Sequence, residues 1–233
     1  MTLRLAQADL PRLEHHLANH FGEPSRVDRD LAAGGEQAEV LIVAPSPAFD
    51  HFLLLSAGLS ALPMALPAGS RGRYEKEHVE LCMVLPSTWK VDATSMRDER
   101  WSWPITLLRF WSRRPHTERG TWLGAWHTLG NGDPAQPYTP GSSLVGAVLA
   151  PAVFLGSHLE GFGLVPGDPP ISILQVIFAT AEELAHARAH GAKELVRLMT
   201  RLTDRASIGL VDPFRPSVVA AAATTVSGRD RIQ

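Results

Sequence analysis

Several sets of residues in this sequence have the types and spacings that chemistry requires. Ser87-Thr88-Trp89-Lys90 matches the S-x-x-K of serine β-lactamases and penicillin-binding proteins, where a nucleophilic serine opens a helix one turn before its lysine. Here the tetrad follows Pro86, Val91-Asp92 offers no helical continuation, and neither S-D-N nor K-T-G occurs in the chain. His78, Glu80 and Cys82 alternate along an apolar run, which invites a cysteine–histidine dyad. At about 3.3 Å per residue of strand, however, His78 and Cys82 stand roughly 13 Å apart, beyond hydrogen-bond reach, so a half-buried structural cysteine is expected. His16 and His20, and again His186 and His190, have the i, i+4 spacing that puts two imidazoles on one helix face. Neither pair carries the H-E-x-x-H glutamate and Cys82 is the single cysteine, so both pairs are expected on solvated helix faces without a metal. Gly161-Phe162-Gly163 with Gly167 has the glycines of a phosphate loop, but Pro166 lies within it and no strand-to-helix turn is evident, so it reads as a plain loop.

Binding chemistry is more prominent than catalytic chemistry. All six tryptophans, Trp89, Trp101, Trp103, Trp111, Trp122 and Trp126, fall within 89–126. Such a cluster marks either a binding surface or the packing of one helix against its flanking strands. Arg97, Arg100, Arg109, Arg113, Arg114 and Arg119 share the region, so a basic, aromatic-rich patch built by 97–129 is a candidate receiver of an acidic partner, against the alternative of a solvated face. Arg109 and Arg113 are expected to be exposed there.

The elements that must position these residues follow from composition and periodicity. The chain has 233 residues, 45% of them apolar, with 22 Lys+Arg against 24 Asp+Glu. A net charge of -2 gives no broad positive field, so free nucleic acid is not an expected partner. Of the basic residues only Lys76, Lys90 and Lys193 are lysine, a bias read as coding in GC-rich DNA. One cysteine fits a reducing compartment, the amino terminus lacks a signal-peptide pattern, and the longest apolar stretch, 144–156, is too short to span a bilayer and contains Pro151. The cytoplasm is the expected location, without a membrane partner.

Asp9 caps a helix whose Leu10, Leu13, Leu17 and Phe21 share a stripe, stopped by Gly22 and Pro24. Strands are expected over 39–43 and 51–55, an exposed loop over 67–77, and a strand with one buried face over 78–85. Pro104 suits the first turn of a helix to about Arg114, with Leu107, Leu108 and Trp111 inward and Arg109 and Arg113 on another side. Residues 121–129 read as β-like, 130–134 as a turn, 144–150 as a strand and 171–179 as a central strand. Thr180-Ala181-Glu182-Glu183 is a capping box opening a helix that Gly191 divides, with Leu195, Leu198, Met199 and Leu202 completing the apolar stripe. The order makes a mixed α+β domain, a mixed β-sheet packed with helices.

Five segments in order, HFLLLSAGLSALPM (51–64), HVELCMVLPSTW (78–89), WPITLLRFW (103–111), TWLGAWHTL (121–129) and ILQVIFATAEELAHARAHGAKELVRLM (173–199), resemble the suppressor-of-fused (SUFU) family over about 35–215. The resemblance implies a SUFU-like α/β domain that works by binding proteins. Animal members of that family hold a short extended segment of a transcription factor and carry a second, carboxy-terminal domain for which this chain has no room. Bacterial stand-alone members have been proposed as immunity proteins that neutralise toxins. In TWLGAWHTL the residue before His127 is Trp126, where animal members carry an acidic residue that serves partner binding, so their recognition mode does not transfer; His127 matches the family pattern.

The expected organisation is an amino-terminal helix and connector (1–34) packed on a SUFU-like domain (35–215), then a carboxy-terminal tail (216–233). The expected function is a noncatalytic protein–protein interaction module, in its most concrete form a bacterial immunity protein. A hydrolase-type enzyme whose site is assembled only in the fold is the alternative. No catalytic residue, metal or cofactor is assigned. The candidate partner-binding residues are Arg109, Arg113, Trp126 and His127, and the partner is a protein, a toxin or a regulatory protein.

Overall fold

The two most continuous apolar runs lie side by side at the centre of the sheet. In the computed structural model, which describes residues 9–26, 39–69, 76–152, 155, 163–203 and 207–222, β4 (Val79–Pro86) and β8 (Ile171–Thr180) pair in parallel, Val79 opposite Ser172 and Cys82 opposite Gln175. Parallel strands are normally covered on both faces, and every residue of β8 is buried. Antiparallel strands extend the sheet on both sides: β3 (His51–Ala57), β2 (Glu39–Val43) and β1 (Pro24–Arg26) beyond β4, β6 (Leu144–Pro151) and β5 (Thr128–Gly130) beyond β8. A two-residue β7 (Leu164–Val165) pairs with the start of β8. The order is β1-β2-β3-β4-β8-β6-β5, which leaves β1 and β5 as edges among the described residues.

Alternation along these strands divides the core. One face presents Leu54, Leu81, Met83, Leu149, Val176 and Phe178 to α2 (Glu99–Thr117). The other presents Leu41, Leu53, Leu55 and Ile173 to Leu13, Leu17 and Phe21 of the α1 (Asp9–His20) segment, and Val148, Ile177 and Ala179 to α3 (Ala181–His190) and α4 (Ala192–Leu202). This is the expected mixed α+β sheet packed with helices. The capping box at Thr180 and the break at Gly191, with φ 93°, also stand where expected.

Several local expectations are corrected. β4 is buried on both faces: Glu80, expected on the open face, and Cys82, expected half-buried, have no exposed surface. Burial pushes the Cys82 thiol pKa up, which disfavours its nucleophilic thiolate. Helix α2 begins at an Asp98 cap, whose side chain accepts from the Arg100 amide at 2.9 Å, so Pro104 lies inside the helix rather than in its first turn. Trp103 and Trp111 of this helix, with Trp89, join Tyr138 and Phe178 in one aromatic cluster; Trp103 meets Phe178 edge-on at 5.0 Å. These tryptophans are core. Leu202, expected in the apolar stripe of α4, is exposed. Ser87 lies in an exposed turn closed by the Trp89 amide on the Pro86 carbonyl at 2.9 Å, not at a helix start. Positions 70–75 of the expected loop, and Gly161 and Phe162, fall outside the described residues.

His16 is also corrected, from a solvated helix face to a buried one. Burial, then the neighbouring His20 and His15, lower its pKa from 6.5 to about 4. The folded state therefore binds fewer protons than the unfolded chain across that interval. The His16 contribution is complete above pH 6.5 and is lost as pH falls toward 4. Thermal melts across that window should show this slope in the native chain and a flatter one in His16→Phe; equal slopes would refute it.

Candidate partner-binding site

The segment read as a β-strand over 121–129 is mostly not one, and the reason shapes the site. Gly124 lies under the indole of Trp122, where a Cβ would come within 2.5 Å of the ring. The chain then turns, the His127 amide bonding to the Gly124 carbonyl at 3.2 Å. Trp126, at φ 73°, occupies the left-handed position of this turn and is the non-glycine residue with positive φ among the described residues. The Trp126 amide donates to the Leu149 carbonyl at 2.6 Å and the Leu149 amide to the His127 carbonyl at 2.9 Å. Two residues thus face one across the ladder with the first left-handed, which is a G1 bulge with tryptophan where glycine is usual. That conformation costs a non-glycine residue on the order of 1 kcal/mol. Packing offsets it: Trp126 rests on the α3–α4 core, while Trp122 and Leu129 rest on the α2 core. The segment therefore wraps the end of the sheet with one tryptophan on each face, and the Trp122 and His127 rings meet edge to face at 4.1 Å.

The bulge sets the register of β5. Its ladder bonds run through His127 and Asn131, whose amide donates to the Val145 carbonyl at 2.9 Å. With Leu129 opposite Ala147, the alternation of an antiparallel pair turns the amide and carbonyl groups of Thr128 and Gly130 away from β6, toward the open edge. Beside the end of β5 a groove of about 390 Å³ opens between α2 and the 130–138 turn, lined by Phe110, Trp111, Arg114, Asn131 and Tyr138 among others. Phe110 is 53% exposed. Burial raises the Tyr138 phenol pKa, so it remains protonated. An open strand edge beside a mixed apolar and polar groove is the geometry for adding an extended segment of another chain.

The four candidate residues do not converge. Trp126 and His127 lead into β5, with partly exposed side chains. Arg109 and Arg113 lie on α2, but Arg109 and Arg114 are about 140° apart around a helix, so Arg109 turns away from the groove that Arg114 lines. It shares the side of His116, which bonds the Leu59 carbonyl at 2.8 Å. Arg109, expected exposed, is 6% exposed. The apolar surroundings of α2 close over its aliphatic stem as they do over its neighbours Ile105, Leu108 and Ser112. Arg113 is partly exposed. The broad basic patch is also weaker than composition implied. Arg100 pairs with Asp98 at 2.5 Å and Arg114 with Glu118 at 2.7 Å, which neutralises part of it locally. Gly124 inside an apolar run was the one sequence signal for the bulge; nothing local signalled the groove, whose walls are far apart in sequence.

The model of the suppressor of fused protein (SUFU) family matches residues 34–216. The chain belongs to the suppressor of fused family. A search of curated proteins finds no match. Among solved structures, a chain of the Sufu–Fu complex is 14% identical with a TM-score of 0.62, over 97% of both chains. Drosophila Suppressor of Fused is 15% identical with a TM-score of 0.58; the match covers 96% of this chain and 54% of that one. A SUFU homolog from Neisseria gonorrhoeae FA 1090 is 15% identical with a TM-score of 0.55, over 89% and 95% of the two chains. These likenesses show the SUFU-like fold, and family membership makes this chain a protein-interaction module of suppressor-of-fused type. Among the described residues no helix is long and apolar enough to cross a membrane, and no cluster of three or more metal-ligating side chains occurs.

Proposed function

We propose that this SUFU-family chain is a noncatalytic cytoplasmic module that captures a protein partner by taking an extended segment along the open edge of β5, with Trp126 and His127 at the entrance to that edge. The observation that carries the reading is the outward orientation of the Thr128 and Gly130 backbone groups beside the α2 groove. The most concrete biological form is toxin neutralisation by a bacterial immunity protein. It is supported by the resemblance to bacterial stand-alone members and by a Neisseria homolog that this chain matches nearly end to end.

Thr128→Pro tests the edge. The Thr128 amide points away from β6, so proline there removes no ladder bond and the fold should survive, while strand addition loses a donor and meets a ring. The wild-type chain, used as bait in its native cell, supplies the partner. That partner is then titrated against Thr128→Pro and Thr128→Ala, with matched thermal melts. Expected is a loss of affinity of at least about tenfold in the proline variant and little in the alanine variant. Equal binding by a folded Thr128→Pro would place the interface elsewhere. A partner that kills cells lacking this chain would establish the immunity role; a harmless partner would count against it.

A further inference from the structure

Arg109 is the least explained charged residue of the fold. Its side chain is 94% removed from solvent, its Nε is sealed without a hydrogen-bond partner, and no carboxylate pairs with it among the described residues. One helical turn on, Ser112 is completely buried and its hydroxyl also lacks a partner. Residues three apart are neighbours on a helix surface, so the two positions share the border of α2 on which His116 bonds the Leu59 carbonyl. Nε is the guanidinium nitrogen that is sealed without a partner; the Nη groups are not among the sealed partnerless atoms. An uncompensated, nearly buried guanidinium is expensive, and burial already depresses its pKa. An anion seated on it would remove that penalty.

We infer that the Arg109 recess is a docking site for a carboxylate of a protein partner, an aspartate or glutamate side chain, anchored by the guanidinium with the Ser112 hydroxyl as a neighbouring donor. The planar fork of one arginine matches the two oxygens of a carboxylate. The site offers the planar fork of Arg109 with the partly exposed Arg113 one turn on. It lies across α2 from the β5 groove and stands or falls independently of the strand-addition reading.

The test uses acetate as the probe on the full chain. The Arg109 Nε–Hε resonance, assigned by its disappearance in Arg109→Met, should shift saturably with acetate and not with chloride at matched ionic strength. In chloride, Arg109→Met should melt at or above the wild-type temperature, because methionine keeps the apolar stem and removes the desolvated charge. Acetate should raise the wild-type midpoint by a few degrees more than that of Arg109→Met. Should the variant fail to fold, the wild-type titration still decides, with Arg109→Lys supplying the assignment. Equal acetate and chloride responses, or an Arg109→Met that folds but melts several degrees lower in chloride, would overturn the inference. A larger response to inorganic phosphate than to acetate would overturn the carboxylate assignment. Loss of strand-edge binding in Thr128→Pro leaves all these readouts unchanged.

Discussion

Arg215→Ala is expected to lower the unfolding free energy by about 3–5 kcal/mol, the usual consequence of leaving a buried charge without its partner. Glu183 is completely buried at the third position of α3. Its Oε1 accepts from Arg215 Nη1 at 2.6 Å and from the Val218 amide at 2.8 Å; its Oε2 accepts from Arg215 Nη2 at 2.5 Å and from the Thr180 amide at 2.9 Å. Arg215 Nη2 also donates to the Phe178 carbonyl at 2.8 Å. One carboxylate thus closes the capping box of α3 and ties the 207–222 segment to the end of β8. Alanine at 215 would strand the carboxylate in a low-dielectric interior and free that segment, whose Val218 fills the α3–α4 core. At this chain length the loss corresponds to roughly 10 °C in the melting midpoint. Chemical denaturation of Arg215→Ala and of Glu183→Gln/Arg215→Met measures it. The double variant should lose less than the single, since no buried charge remains unpaired. A single-variant loss below about 1 kcal/mol would mean that the pair behaves as a surface ion pair.

The second large effect is expected at Glu80. This carboxyl group, fully buried in β4, has no cationic partner among the described residues and is held there by neutral donors. Its Oε1 accepts from the Gly58 amide at 2.9 Å, the Ser60 amide at 3.0 Å and the Ser60 hydroxyl at 2.7 Å. Its Oε2 receives the Ser56 hydroxyl, which in turn accepts from the Leu81 amide at 2.8 Å. Glu80→Ala leaves several buried donors unsatisfied and opens a cavity, so a loss on the order of 4 kcal/mol is expected. Glu80→Gln keeps an acceptor for the Gly58 and Ser60 donors and should lose about half as much. Burial raises the Glu80 pKa above its ordinary 4.5, against the opposing hydrogen bonds from Ser56, Ser60 and Gly58. The native state then holds this proton to higher pH than the unfolded chain. Its stabilisation is present below pH 4.5 and is lost as pH rises from there through the raised value. Denaturation measured across that range should show this decline in the native chain and lose it in Glu80→Gln. An unchanged slope in the glutamine variant would assign the decline to another group.

The neighbouring residues explain why one role at this site was legible and the other was not. Glu80 and Cys82 alternate with Val79, Leu81 and Met83, and a polar residue at every second position ordinarily marks a solvated face. Here that face is covered, because Ser56 near the end of β3 and Gly58 and Ser60 of the connection after it supply donors. A hydrogen-bonded carboxyl and a thiol behave as core residues, which single-strand periodicity cannot distinguish from exposed ones. Arg109 shows the same limit on a helix: its spacing from Leu108 and Trp111 marks an edge of the apolar stripe, yet the fold buries it to 6% exposure.

By itself the sequence determined the mixed α+β class, the central strand at 171–179, the Thr180 capping box, the Gly191 break and the ordered segments that resemble the SUFU family. Each depends on local signals, such as hydrophobic period, capping chemistry and glycine conformation, or on recognisable runs of residues. Tertiary structure alone decided that β4 and β8 are adjacent and parallel, and that Trp126 accepts a left-handed backbone because the α3–α4 core holds its ring. It also decided that β5 is an edge beside α2 among the described residues, and that Arg109, on α2, and Trp126, on the α3–α4 core, lie on opposite faces of the sheet. Those outcomes depend on which surfaces meet after the chain has folded, and contacts between residues tens of positions apart leave no periodic trace in either segment.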